Sequence, residues 1–482
     1  MARILLLGAS GYIGGRLLPR LIQRGHDVHC LLRNPNKIPP ADAEQTHVFE
    51  GDVLKPETLP PAFADTDIVF YLVHSMSAGD DDFEQRDRRA AEHVAAAARE
   101  AGVQRIVYLG GLGKRDENQT PHLRSRHEVG DILRSSGIPI TEFRAAVIVG
   151  SGSASFEMMH HLVNRLPVMI TPRWVSVRTQ PLAIADLLAY LLDAVERPET
   201  SGEIIDIGGP EVLTYREMMR TVARVLGLRR YVLPVPVLTP KLSSYWVNLV
   251  TPIPFSLASS LIESVRSETI CENDRAAELF DIRPMPFEDA VRRALQKLHT
   301  ASVETTWSSA GSPPAPQPLD PSHLKTDVQE VRCAASAEQL YHVISSIGGA
   351  SGWHYANTLW RMRGFIDKQL GGVGLRRGRR HPTDLHVGEA LDFWRVEEID
   401  PGARLLLRAE MKVWGRAWLE FRVEPDGSGS RLIQTARYYP RGVFGLIYWY
   451  GVYPAHVLVF RGMAKAIARN AEQATSSSGG LS

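Results

Sequence analysis

Gly8-Ala9-Ser10-Gly11-Tyr12-Ile13-Gly14 directly follows an aliphatic run, Arg3–Leu7, and leads into Gly15-Arg16-Leu17-Leu18, the start of a helical pattern. A glycine trio alone is weak evidence. Its place between a strand and a helix gives it physical content. Glycines let the backbone close on a pyrophosphate, and the helix N-terminus turns free N–H groups and positive dipole toward it. Gly8, Ser10, Gly11, Tyr12, Ile13 and Gly14 are therefore the expected dinucleotide cradle.

Outward from this loop, short aliphatic runs alternate with amphipathic stretches. Strands are expected at Arg3–Leu7, Asp27–Leu32, Thr46–Phe49, Ile68–Val73, Arg105–Leu109 and Ile140–Val147, with a further one at Glu203–Ile207. The longest helical pattern between them is Phe83–Ala101, and Thr214-x-x-Glu217 is a capping box that opens another helix. Strands that are apolar throughout and alternate with helices imply an α/β fold, a Rossmann-type doubly wound parallel sheet, over residues 1–300.

The second strand ends Leu31-Leu32-Arg33-Asn34-Pro35-Asn36-Lys37. A cofactor without a 2′-phosphate usually meets an acid here. Arg33 and Lys37 stand there instead, so the expected cofactor is NADP, with NAD the less favoured alternative. Asp52 and Val53, after the third strand, are positioned for the adenine, and His74, closing the fourth, for the cofactor ribose. His160-His161 and His127-Glu128 lack a third ligand at metal-binding spacing, and no metal is expected.

Gly8, Gly11, Gly14, Arg33, Asp52 and the strand ending at His74 together resemble the atypical short-chain dehydrogenase/reductases, and more narrowly their NmrA-like, NAD(P)H-binding branch. Gln180–Asp186 and Asp206–Pro210 are similar to stretches of the extended members. The resemblance implies a Tyr-x-x-x-Lys pair opening the helix after the fifth strand. The matching segment is Thr120-Pro121-His122-Leu123-Arg124-Ser125-Arg126, with His122 in place of the Tyr and Arg126 in place of the Lys. The preceding loop, Leu109–Lys114, lacks the serine that the family uses and offers Lys114 as another proton donor. In the first turn of its helix the His122 imidazole is disfavoured as a cation. It is therefore a candidate hydrogen-bond donor or proton relay.

Trp307–Pro321 is rich in Pro and Ser, and 301–324 is expected to be a linker. Residues 325–473 change texture: a helix at Ala337–Ile347, strands at Glu389–Ile399, Arg404–Val413, Ala417–Val423 and Arg431–Tyr439, and a helix from Pro454 to Asn470. In that helix Val457, Phe460, Ala464, Ile467 and Ala471 form an apolar stripe opposite Arg461, Lys465 and Arg469. Residues 474–482 are expected to be a disordered tail. Gly371–Pro382 and Glu389–Val396 resemble an uncharacterised bacterial domain of the START/polyketide-cyclase, or helix-grip, type. That implies an α+β domain, an antiparallel sheet with a long C-terminal helix, holding a small apolar or lipid-like ligand. Arg376, Arg377, Arg379 and Arg380 are candidates for a phosphate or an anionic head group.

The chain has 482 residues, 44% apolar and 23% charged, with 55 Lys+Arg against 54 Asp+Glu. A net charge of +1 argues against general nucleic-acid binding. Cys30, Cys271 and Cys333 make no disulfide framework, and the opening residues do not read as a signal peptide, so a cytoplasmic protein is expected. Val443–Phe460 contains no Lys, Arg, Asp or Glu. It stays open as a buried element, a span, or a peripheral contact that would tie the protein to the cytoplasmic side of a membrane. The oligomeric state is not legible. Two functions follow: an NADPH-dependent reductase of an apolar carbonyl, enone or quinone-like substrate, or a non-catalytic NADP(H) sensor with a ligand-binding C-terminal domain.

Overall fold

The computed structural model describes residues 1–74, 83–116, 119–235, 247, 251, 255–300, 302–309, 323–349, 351–375 and 379–478. The chain divides into two compact units, Met1–Ala310 and Gly311–Ser482.

The first unit is built on a seven-stranded sheet. Its strands are β1 (Arg3–Leu7), β2 (Asp27–Leu32), β3 (His47–Glu50), β4 (Ile68–Tyr71), β5 (Arg105–Gly111), β6 (Ile140–Ala145) and β7 (Ile204–Ile207). They run parallel in the order β7-β6-β5-β4-β1-β2-β3. After its first residue, Arg3, the central strand β1 is apolar throughout because both faces are covered: Ile4 and Leu6 face one core, Leu5 and Leu7 the other. The order reverses at β1, whose neighbours are β4 and β2, so the crevice at the carboxyl ends of these strands is where such a sheet takes ligands. Helix α1 (Gly14–Gln23) leaves β1 through the glycine loop. Helices α2 (Phe83–Glu100) and α3 (Pro121–Ser135) follow β4 and β5. The expected sixth strand, Ile140–Val147, stops at Ala145, and Ile148–Val149 beyond it pair with Leu182–Ala183 in a separate two-stranded sheet.

The first unit runs past the boundary expected at 300. Arg16 donates to the Thr305 side chain at 2.8 Å, Arg20 pairs with Glu304 at 2.8 Å, and Trp307 Nε1 donates to Glu157 at 2.6 Å. These bonds fold residues 304–307 back onto the Rossmann unit, so they are not linker. The rest of the expected linker, 310–322, lies outside the described residues, as does most of the apolar, Pro-rich segment 233–255.

The second unit is a six-stranded antiparallel sheet. Its strands are β8 (Lys325–Cys333), β9 (Ala390–Leu391), β10 (Trp394–Asp400), β11 (Arg404–Ala409), β12 (Gly415–Asp426) and β13 (Gly429–Pro440), in the order β8-β13-β12-β11-β10-β9. Helices α4 (Ala337–Ser345) and α5 (Asn357–Gln369) come before β9, and α6 (Gly442–Ser478) closes the unit. The last helix begins earlier than expected and runs through Pro454. It also carries the expected tail on to Ser478, with only 479–482 outside the described residues. The expected strand Glu389–Ile399 breaks at Asp392, which takes a φ of +53° and turns the chain between β9 and β10.

Of the expected stripe, Phe460, Ala464, Ile467 and Ala471 of α6 are buried against the sheet, while Val457 is only half-buried and lines the outer groove with the exposed Arg461, Lys465 and Arg469. Beneath them is an aromatic core. Trp353 is 1% exposed, stacks on Phe393 at 6.1 Å, and donates Nε1 to Asp392 at 2.9 Å. Trp353→Ala is expected to destabilise this unit by about 3–5 kcal/mol, through the cavity and the loss of one hydrogen bond to the Asp392 carboxylate, measured by chemical denaturation of the full chain.

Candidate functional site

The glycine loop has the geometry of a pyrophosphate cradle. Gly8 sits at φ +95°, and a Cβ there would meet the Leu72 carbonyl oxygen, just past β4, at 2.8 Å. A Cβ on Gly14 would overlap the Gly8 carbonyl. The loop is thus pulled tight against β4 and against the first turn of α1, which only glycine permits. Ile13 caps α1 without a side-chain hydrogen bond, and no acid lies in the first turn. No side chain therefore opposes the positive end of the helix dipole, although the Gly15 and Arg16 amides already donate to the Gly11 and Ile13 carbonyls. Tyr12 lies on the Arg16 guanidinium, 4.6 Å from its ring centre, and burial pushes its hydroxyl up to about 12. It is a packing residue at neutral pH.

On the adenosine side, Arg33 is exposed at the end of β2. Lys37 is buried and donates Nζ to the Ser309 carbonyl at 3.0 Å, so its charge is drawn toward the chain. Asp52 accepts the Leu54 amide at 3.0 Å, an Asx turn that fixes the loop after β3, and Val53 offers its carbonyl to His93 at 2.9 Å. Arg33 is the exposed cation among these residues.

The ends of β4 and β5 carry the remaining candidates. His74 Nδ1 meets Asp87 Oδ2 at 3.0 Å, and Ser125 donates to the same oxygen at 3.2 Å. His122 stands beside them, its ring centre 4.8 Å from that of His74. Thr120 caps α3 by accepting the Leu123 amide, which sets His122 in the first turn. Burial pushes the His74 imidazole below its usual range. The same burial, with His74 and Arg126 adjoining, holds His122 well below. Both rings are neutral at pH 7. His74 Nε2 and His122 Nδ1 are buried and without partners, polar atoms of a kind that folded proteins rarely leave unmatched.

Arg126 is buried, with its guanidinium on the Leu109 and Val73 carbonyls and over the Tyr108 ring at 5.0 Å. It ties the ends of β4 and β5 together. Lys114 stands apart, exposed at the surface 3.6 Å from Glu272.

Asp87 was not legible as a site residue, although its signal is there. It shares the buried stripe of α2 with Ala91, Val94 and Ala98, and a carboxylate on an apolar stripe needs a partner. Another cluster, Asp27, His29 and His47, brings ligand atoms within 4.8 Å of one another at the opposite ends of β2 and β3. Arg3 already lies 3.4 Å from the Asp27 carboxylate, so a cation there meets a neutralised ligand.

Known proteins are similar to the first unit in sequence and in fold. Residues 8–149 match a family model described as NAD(P)H-binding, and residues 321–463 match one described as a protein of unknown function, DUF2867. The chain is 23% identical to the photosystem II assembly factor Ycf39 of Trieres chinensis, over 50% of this chain and 74% of that protein. It is 25% identical to the chloroplastic divinyl chlorophyllide a 8-vinyl-reductase of Zea mays, over 48% of this chain and 62% of that protein. The crystal structure of the Citrobacter sp. triphenylmethane reductase complexed with NADP(H) superposes with a TM-score of 0.50 at 20% identity, covering 61% of this chain and 99% of that one. The first unit is therefore a Rossmann domain of the open, doubly wound class. Specifically, it is an NAD(P)H-binding domain of the kind the glycine loop defines.

Proposed function

We propose that the protein is an NADPH-dependent reductase of an apolar carbonyl, enone or quinone-like substrate. The carrying observation is the neutral His122 at the carboxyl ends of β4 and β5, with Asp87 and His74 behind it. A reduced nicotinamide, when bound, supplies a hydride to the substrate carbon. His122 hydrogen-bonds the substrate oxygen as charge develops there and relays a proton to it from solvent. Asp87 accepts from His74 Nδ1–H and so fixes that ring's tautomer. Arg126 keeps β4 and β5 in register for the ribose but exchanges no proton. Two of the similar proteins are named reductases, which supports this reading. One is named an assembly factor, which together with the absent Tyr and Lys favours a second: an NADP(H)-binding sensor whose C-terminal unit takes a ligand or partner.

NADPH absorbance, followed against a panel of quinones and enones, tests the choice. Turnover of at least one class is the expected result; tight NADPH binding with no turnover across the panel leaves the sensor.

Arg33→Ala is expected to weaken NADPH by about 10- to 100-fold, the equivalent of one charge-assisted hydrogen bond, and to leave NADH unchanged. Calorimetry with the two coenzymes reads the difference. Equal losses would remove Arg33 from the 2′-phosphate.

A further inference from the structure

Helix α6 turns one long stripe outward. Val443 (71% exposed), Ile447 (63%), Tyr450 (63%) and Leu458 (61%) recur three, four or eight residues apart along it. The same stripe continues into Arg461, Lys465 and Arg469, all exposed, which border a groove of about 880 Å³ with Tyr355 and Pro454.

The apolar surface does not end with α6. Arg441 N donates to the Trp414 carbonyl at 2.9 Å, and Trp414 is itself 55% exposed. Lys412 N donates to Asp367 at 2.6 Å and Arg363 to the Lys412 carbonyl at 2.9 Å, which ties in α5. On α5, Phe365 is 62% and Met362 56% exposed. Large exposed apolar residues thus recur on α6, on α5 and on the 411–416 segment bonded to both, the kind of exposure that marks an interaction surface.

The charges around it share one sign. Arg361, Lys412, Arg441 and the α6 cations are exposed. Over 357–369, 411–416 and 441–471 the one acid is Asp367, which is fully buried. A second copy docked face to face would set these cations against each other. An anionic surface with an apolar interior complements both the cations and the apolar residues, and the exposed Trp and Tyr rings are of the type that settles at the level of lipid head groups.

A crossing helix does not fit. β13 ends at Pro440, immediately before α6. Trp449 is buried and stacks on Tyr438 at 5.4 Å, and the Tyr438 hydroxyl donates to the Trp414 carbonyl at 2.7 Å. The start of α6 is fastened to the sheet, although Gly442–Ala474 has the length and hydropathy of a span. We propose that this face docks the protein on an anionic phospholipid bilayer. The α6 stripe lies in the head-group boundary, and Arg461, Lys465 and Arg469 meet lipid phosphates. The docking is independent of the redox reading, since it needs neither nucleotide nor substrate.

The test is co-sedimentation of the full chain with phosphatidylcholine vesicles, with and without phosphatidylglycerol. Expected are partition onto the anionic vesicles alone and partial release by salt, since screening shortens to about 3 Å at 1 M. Arg461→Gln with Lys465→Gln is expected to weaken partition about 30-fold, near fivefold per cation. Ile447→Glu with Tyr450→Glu is expected to abolish it. These are surface positions, and an unchanged thermal midpoint checks their folding. The comparison of the two vesicle types on the unaltered chain stands even if a variant misfolds. No partition, or equal partition onto neutral vesicles, overturns the proposal. So does a stable dimer in sedimentation velocity that the Glu pair dissolves. Resistance to alkaline extraction from membranes overturns it in favour of a span.

Discussion

His122→Ala is expected to lower NADPH-dependent turnover by about 10²- to 10⁴-fold, the usual worth of one positioned acid–base group, with NADPH affinity unchanged. The split matters because the proposal assigns His122 to the substrate oxygen and not to the pyrophosphate loop. Steady-state rates on the best substrate of the panel, with calorimetric NADPH binding, separate the two. The pH profile adds a second readout. A histidine whose pKa is pushed down by burial stays neutral well below the ordinary value of about 6.5. Activity should therefore hold flat as pH falls through 6.5 and decline only below it. Stability carries a matching sign. For His74 and His122 the folded pKa lies below the unfolded one, so below about 6.5 the unfolded chain binds more protons and folding loses stability as pH falls. Above 6.5 neither group contributes. Asp87→Asn should lower turnover less than His122→Ala, because it disturbs the tautomer of His74 and leaves His122 in place. A His122→Ala enzyme as active as the unaltered one would remove the imidazole from the chemistry.

What could be read in the sequence, and what could not, follows from the range of the interactions. β1, the glycine loop and α1 are local: the aliphatic run, the glycine spacing and the helix pattern each sit within a few residues, and the structure keeps them. The apolar face of the last helix was legible for the same reason, since Phe460, Ala464, Ile467 and Ala471 need only a helical period. Its start was not. Pro454 reads as a first-turn proline, yet the helix runs through it, with Trp449 stacked on Tyr438 eleven residues earlier. The pairing of Asp87 with His74 joins the start of α2 to the end of β4, and the return of Glu304 and Thr305 to α1 spans most of a domain. No periodicity reports such contacts. Lys37 shows the same limit in reverse. Its place in the sequence suits a phosphate, while its side chain reaches Ser309, far along the chain.

Gly14→Ala is expected to abolish NADPH binding. Two effects oppose each other at this position. Alanine favours the first turn of a helix over glycine by about 0.5–1 kcal/mol, so on propensity alone the variant would gain stability. Its Cβ, however, would overlap the Gly8 carbonyl, and Gly8 is itself pinned, since any outward shift drives it toward Leu72, just past β4. Neither partner is a flexible side-chain end, so the overlap must be relieved by moving the loop off α1. That displaces the N–H groups whose positions define the pyrophosphate site. Loss of a cofactor bound to the folded state alone is read directly in thermal melts. At a coenzyme concentration about 100 times Kd the unaltered protein gains about 2.7 kcal/mol, which raises the midpoint of a domain of this size by several degrees. In Gly14→Ala the coenzyme should leave the midpoint where it is, while the melt without coenzyme stays cooperative. A variant that still responds in full to NADPH would mean that the loop yields without moving those amides, and the cradle at Gly8–Gly14 would lose its claim to the pyrophosphate.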